Sequence, residues 1–88
     1  MGFAKAVKNI TIYTTATCVF CHAEKEFFNE HGVKFDDIRV DVDEEAAKKM
    51  MELSGQLGVP FTVITKADGS QEKILGFDQP RLTASLGL

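Results

Sequence analysis

The chain has 88 residues and a net charge of −3, from 10 Lys and Arg against 13 Asp and Glu. That length suits one domain, residues 1–88, and not two. The scattered basic residues make no stripe of the kind that binds nucleic acid, and no apolar run approaches the ~18 residues of a membrane span. Residues 1–8 hold two lysines without an apolar core or a small-residue cleavage site, so a cytoplasmic protein is expected; it is separately expected to be a monomer.

Asn9 to Thr14 is rich in β-branched residues and reads as a first strand. Val19 to His31 follows as a helix, with Phe20, Ala23, Phe27 and His31 at helical spacing, Phe28 widening the stripe and Gly32 as its stop. Phe35 to Val42 alternates, with Ile38, Val40 and Val42 on one face, and reads as a second strand. Asp43 can cap the next helix, whose positive end suits Glu44 and Glu45. Ala47, Met50, Ser54 and Leu57 recur on that helix, with Gly55 interrupting or ending it. Pro60 opens a third strand, Phe61 to Thr65; Asp68-Gly69 marks a turn; Gln71 to Leu75 is a fourth strand. Asp78 caps a short last helix carrying Leu82 and Leu86, with Pro80 acceptable in its first turn.

The order is β-α-β-α-β-β-α. A helical connection makes the first two strands parallel with a right-handed crossover, and a tight turn makes the last two antiparallel. An α/β fold follows, with a mixed four-stranded sheet, three helices and helices on both faces.

The two cysteines, Cys18 and Cys21, stand three positions apart. A loop so small stabilises little, so chemistry explains the pair better than stapling. The Cys18-Val19-Phe20-Cys21 segment lies where the first strand gives way to the first helix. There, unpaired backbone N–H groups and the helix dipole favour a thiolate, the form of cysteine that reacts. Cys18 comes first and reads as the exposed attacker; Cys21, one turn on, reads as the more buried resolver. Zinc usually takes four ligands, and only His22 and His31 could join the cysteines. Cys18 to His22 also spells the C-x-x-C-H string of haem attachment, but without a secretion signal and on a phenylalanine-rich helix. No metal and no bound cofactor are expected.

Pro60 cannot donate to a ladder and belongs at a strand start. Local sequence alone makes a trans Val59-Pro60 bond the default; a cis bond would expose the Val59 backbone to an extended peptide. His22 reads as a solvated helix residue. Lys25, between Glu24 and Glu26, reads as surface charge, Phe27 and Phe28 as core, and Asp41 to Glu45 as a strand end and helix cap.

Three segments carry a family resemblance. Tyr13 to His22 (Y-T-T-A-T-C-V-F-C-H), Gly55 to Ile64 (G-Q-L-G-V-P-F-T-V-I) and Gly76-Phe77-Asp78 resemble, in order and spacing, the active-site, cis-proline and last-helix segments of glutaredoxins. The resemblance implies a thioredoxin fold and thiol–disulfide oxidoreductase activity. It implies Cys18 as nucleophile, Cys21 as resolver and Phe20 in the usual aromatic position between them. It further implies substrate-directed backbone groups at Val59, a cis bond at Pro60, and Asp78 at the γ-glutamyl end of glutathione. The chain departs from the common pattern at Val19 (often proline), Thr15 (often a lysine that binds a glutathione carboxylate), Gly58 (usually threonine) and the Gly76-Phe77 pair. The change at Thr15 removes a charge-assisted contact of roughly 1.5–3 kcal/mol. Glutathione is the expected co-substrate. Gly76-Phe77 also resembles glutaredoxin-like electron donors reduced by thioredoxin reductase and serving ribonucleotide reductase. Glutathione or thioredoxin reductase is therefore the expected electron source, with disulfide-containing proteins as substrates.

Overall fold

A computed structural model describes residues 7–88; the reading of residues 1–8 for a leader falls largely outside them. The elements are β1 (Val7–Thr14), α1 (Val19–Glu30), β2 (Asp36–Arg39), α2 (Glu44–Ser54), β3 (Phe61–Lys66), β4 (Gln71–Leu75) and α3 (Gln79–Leu86). The four strands form one open sheet in the order β2-β1-β3-β4. β1 and β2 are parallel, while β3 is antiparallel to both β1 and β4. This is the expected mixed sheet, and among the described residues no helix is long and apolar enough to cross a membrane.

Strand alternation divides the core. Ile10, Ile12, Ile64 and Ile74 point to one face and pack with Phe27 and Phe28 of α1 and Leu82 of α3. Tyr13, Phe61 and Val63 point to the other and pack with Met50 of α2. Burying such side chains contributes about 1.5–3 kcal/mol each. The helices end where local chemistry dictates. Asp43 caps α2 by accepting the Ala46 N–H at 3.0 Å, and Gly55, at φ 76°, closes it in the left-handed conformation that glycine adopts without a Cβ clash.

Four sequence expectations shift. β2 is shorter than Phe35 to Val42, and Val42 is 75% exposed. The Val40 N–H still reaches Thr14 O at 2.9 Å, but the Asp43 N–H turns back to Arg39 O at 3.1 Å, which ends the alternation. On α1 the inward stripe is Cys21, Glu24, Phe27 and Phe28; Phe20 is 66% exposed and His31 is the exposed C-cap. On α2 the inward side chains are Ala46, Met50 and Leu53, and Leu57 lies beyond Gly55, in solvent. The Val59-Pro60 bond is cis, as the resemblance implied and against the default from local sequence.

The topology gathers one end of the sheet. Thr14 at the end of β1 pairs with Arg39 at the end of β2, and Tyr13 pairs with Phe61 at the start of β3. Phe61 in turn pairs with Leu75 at the end of β4, and the Gly76 N–H donates to Pro60 O at 2.8 Å. The loop 15–17, Val59-Pro60 and Gly76-Phe77-Asp78 therefore share one end of the sheet although they are far apart in sequence.

Candidate active site

Cys18 is the N-cap of α1, and its Sγ accepts the Cys21 N–H at 3.1 Å. The two cysteines are joined as a disulfide with a Cα–Cα distance of 5.2 Å. Cys18 is partly exposed, whereas Cys21 is fully buried. No acidic residue occupies the first turn of α1. A negative charge on Cys18 therefore meets an amide donor and the positive end of the dipole without a carboxylate in that turn. Val19 and Phe20 project between the cysteines, 75% and 66% exposed, as an apolar shoulder beside Cys18.

The loop leading to Cys18 is held from two sides. The Ala16 N–H donates to Asp41 Oδ2 at 3.1 Å, and Arg39 grips the same carboxylate with two contacts of 2.7 Å. The Arg39 bond and then the Ala16 bond hold the Asp41 carboxyl well below the usual carboxylate range. From the helix, His22 Nε2 lies 2.9 Å from Ala16 O. Behind the loop, buried Thr14 donates to Asp37 Oδ1 at 2.6 Å, and Lys25 reaches Asp37 Oδ2 at 2.9 Å. Burial pushes the Asp37 carboxyl up, but these two bonds with the Lys25 and Arg39 charges outweigh it, and the net shift is downward.

Thr15 flanks Cys18, whose N–H points to Thr15 O at 3.4 Å. Pro60 is buried and Val59 half-buried at the start of β3. Gly76 adopts φ 81°, which turns the chain out of β4. Phe77 sets its ring edge-on to Phe27 at 5.8 Å, so part of it belongs to the core. Asp78 caps α3 through the Arg81 N–H at 3.2 Å. The residues singled out in the sequence thus lie at one end of the sheet. Among the described residues, no group of three or more His, Cys, Asp or Glu side chains could hold a metal ion.

Sequence reasoning missed four residues. His22 is not merely solvated, Lys25 is paired, and Asp41 anchors the loop that leads to Cys18. The fourth is Glu24, fully buried on the face of α1 that carries Cys21. Thr62 Oγ1 donates to its Oε2, while Oε1 has no hydrogen-bond partner among the described residues. Burial pushes its carboxyl up to about 7, opposed by the Thr62 bond. One signal was available: if Cys21 faces inward, a residue three positions later does too.

The family model described as glutaredoxin matches residues 10–67. Glutaredoxin 3 of Escherichia coli is 35% identical over 52 residues, which are 59% of this chain and 63% of that protein. The chain thus aligns with less than two thirds of that relative's length. A glutaredoxin-like 8.6 kDa protein of the Clostridium pasteurianum rubredoxin operon is 34% identical over 73 residues, 83% of this chain and 91% of its own. Among solved structures, the glutaredoxin-like NrdH-redoxin of Escherichia coli, whose activity profile is described as thioredoxin-like, superposes with a TM-score of 0.65 at 33% identity. That superposition covers 78% of this chain and 83% of the other.

Proposed function

The chain belongs to the glutaredoxin family, and on that footing we propose that it is a dithiol thiol–disulfide oxidoreductase working through Cys18 and Cys21. The observation that carries the reading is the asymmetry of the pair. The partly exposed sulfur sits at the helix N-cap with an amide on it, and its partner is fully buried one turn away. The Cys18 thiolate attacks a substrate disulfide, forming a Cys18–substrate disulfide and expelling the other substrate sulfur as a thiolate. Cys21 then loses its proton and attacks Cys18 Sγ. The internal disulfide forms and the second substrate thiol leaves, so two electrons pass from the protein to the substrate. The Val59 N–H and C=O make no backbone hydrogen bond among the described residues and can pair with an extended peptide beside Cys18.

Glutathione is the first choice of reductant, with Asp78 and Val59 as its contacts. Reduction by thioredoxin reductase is the second reading, favoured by Phe77 after Gly76, by Thr15, and by similarity to the NrdH-redoxin structure. Oxidised protein set against glutathione with its reductase, and separately against thioredoxin reductase alone, separates them through NADPH consumption. Slow but measurable turnover with glutathione is expected, and Thr15→Lys should raise it roughly ten- to hundredfold, the value of one charge-assisted contact. Fast turnover with thioredoxin reductase and none with glutathione would replace the first reading by the second.

A further inference from the structure

The mechanism above leaves one proton without a destination. Cys21 must lose its proton to attack Cys18, yet it is fully buried. Glu24 is also fully buried, on the same face of α1 and one turn later; side chains at that spacing are about 5–6 Å apart at Cβ. A buried carboxyl oxygen without a partner costs free energy, and Glu24 Oε1 is such an atom in the oxidised protein. Oxidised Cys21 has no hydrogen to offer; reduced Cys21 has an S–H.

The geometry points to Glu24 as the proton acceptor for Cys21, an inference that rests on the dithiol reading above. As the Cys21–Cys18 bond forms and the Cys18–substrate bond breaks, the Cys21 proton passes to the Glu24 carboxylate and the electron pair leaves with the substrate thiolate. When an external thiol reopens the disulfide at Cys18, the neutral Glu24 carboxyl returns that proton to Cys21. Thr62, reaching Glu24 from β3, holds the carboxyl in place.

The other charged groups on this face of the sheet are engaged elsewhere. On β2, Asp37 is bound by Thr14 and Lys25, and Arg39 by Asp41. On β4, Glu72 accepts from Ser85 at 2.6 Å and from Arg81 of α3 at 3.2 Å. Asp78 caps α3. Lys66 Nζ lies on Ser85 O at 2.7 Å. Burial holds the Glu24 carboxyl at about 7, where it can both take and return a proton near neutrality.

The test uses reduced full-length protein and 5,5′-dithiobis-(2-nitrobenzoate) in two kinetic phases. The first release of coloured thiolate reports attack by Cys18, and the second reports attack by Cys21 on the mixed disulfide. In the wild type the second phase should accelerate through an inflection near the Glu24 value of about 7. Glu24→Gln should remove that inflection and slow the second phase at pH 8 by about tenfold or more, with the first phase unchanged. Thr62→Val keeps the carboxylate but removes the bond that lowers its pKa, so the inflection should move to higher pH, a displacement that a purely structural role would not produce. Second-phase profiles that superimpose for wild type and Glu24→Gln would overturn the inference while leaving the dithiol reading intact, as would a Thr62→Val profile that does not move. A wild type with no first phase at all would remove both.

Discussion

Cys18→Ser should abolish disulfide exchange, with a loss on the order of 10³-fold or more, as removal of a nucleophile causes in other covalent catalysts. No other sulfur can substitute, because the chain has two cysteines and Cys21 is fully buried. The serine hydroxyl would still cap α1, so the variant should fold. Cys21→Ser should behave differently. It keeps the exposed attacking thiolate and the backbone amide that supports it, but it cannot close the internal disulfide. A mixed disulfide should then accumulate on Cys18, visible as a single mass adduct, and only reactions in which glutathione itself resolves the adduct should survive. An active Cys18→Ser variant beside an inactive Cys21→Ser variant would reverse the assignment.

The next largest effect is on stability, and it comes from Glu24. Its carboxyl titrates at about 7 in the folded protein, against ~4.3 in an unfolded chain. A raised carboxyl favours the fold while both states are protonated, below the unfolded value. That contribution falls as pH rises between the two values, because the unfolded chain releases its proton first, and is gone above the folded value. The difference corresponds to about 4 kcal/mol. Glu24→Gln cannot ionise, so the oxidised variant should gain about that much relative to oxidised wild type between pH 4 and pH 8. Asp37 and Asp41, shifted downward, are present in both proteins and cancel from the comparison. Urea unfolding at the two pH values measures it. A stability difference independent of pH would show that Glu24 is not a buried, protonated carboxyl.

Much of the fold was legible because its signals are local. β-Branched runs marked β1 and β3, Asp43 and Asp78 marked helix starts, and Gly55 marked a helix end. The Cys18–Cys21 segment was legible because a motif at a strand-to-helix junction carries its own physical reason. What was not legible depended on rotation and long-range pairing. Placing Phe20 and His31 on one stripe with Phe27 misplaced the inward face of α1, and that error hid Glu24, which stood in the sequence as one of two acids flanking Lys25. Only the packing of α1 against β3, which brings Thr62 over residue 24, reveals it. The anchoring of Ala16 by Asp41 spans 25 positions, and no periodicity along the chain reports such a contact. Val42 shows the limit of alternation as a signal, since the pattern continued after the strand had turned away.

The account depends most on a Cys18 thiolate stabilised where α1 begins. The direct measurement is the rate of alkylation by iodoacetamide as a function of pH on fully reduced protein, with the modified cysteine mapped by peptide mass spectrometry. The predicted result is modification of Cys18 alone, half-maximal at a pH within roughly 3.5–7.5, the range of cysteines at helix N-termini. Half-maximal reaction near the ordinary ~8.5 of a free thiol, or modification of Cys21 before Cys18, would contradict it.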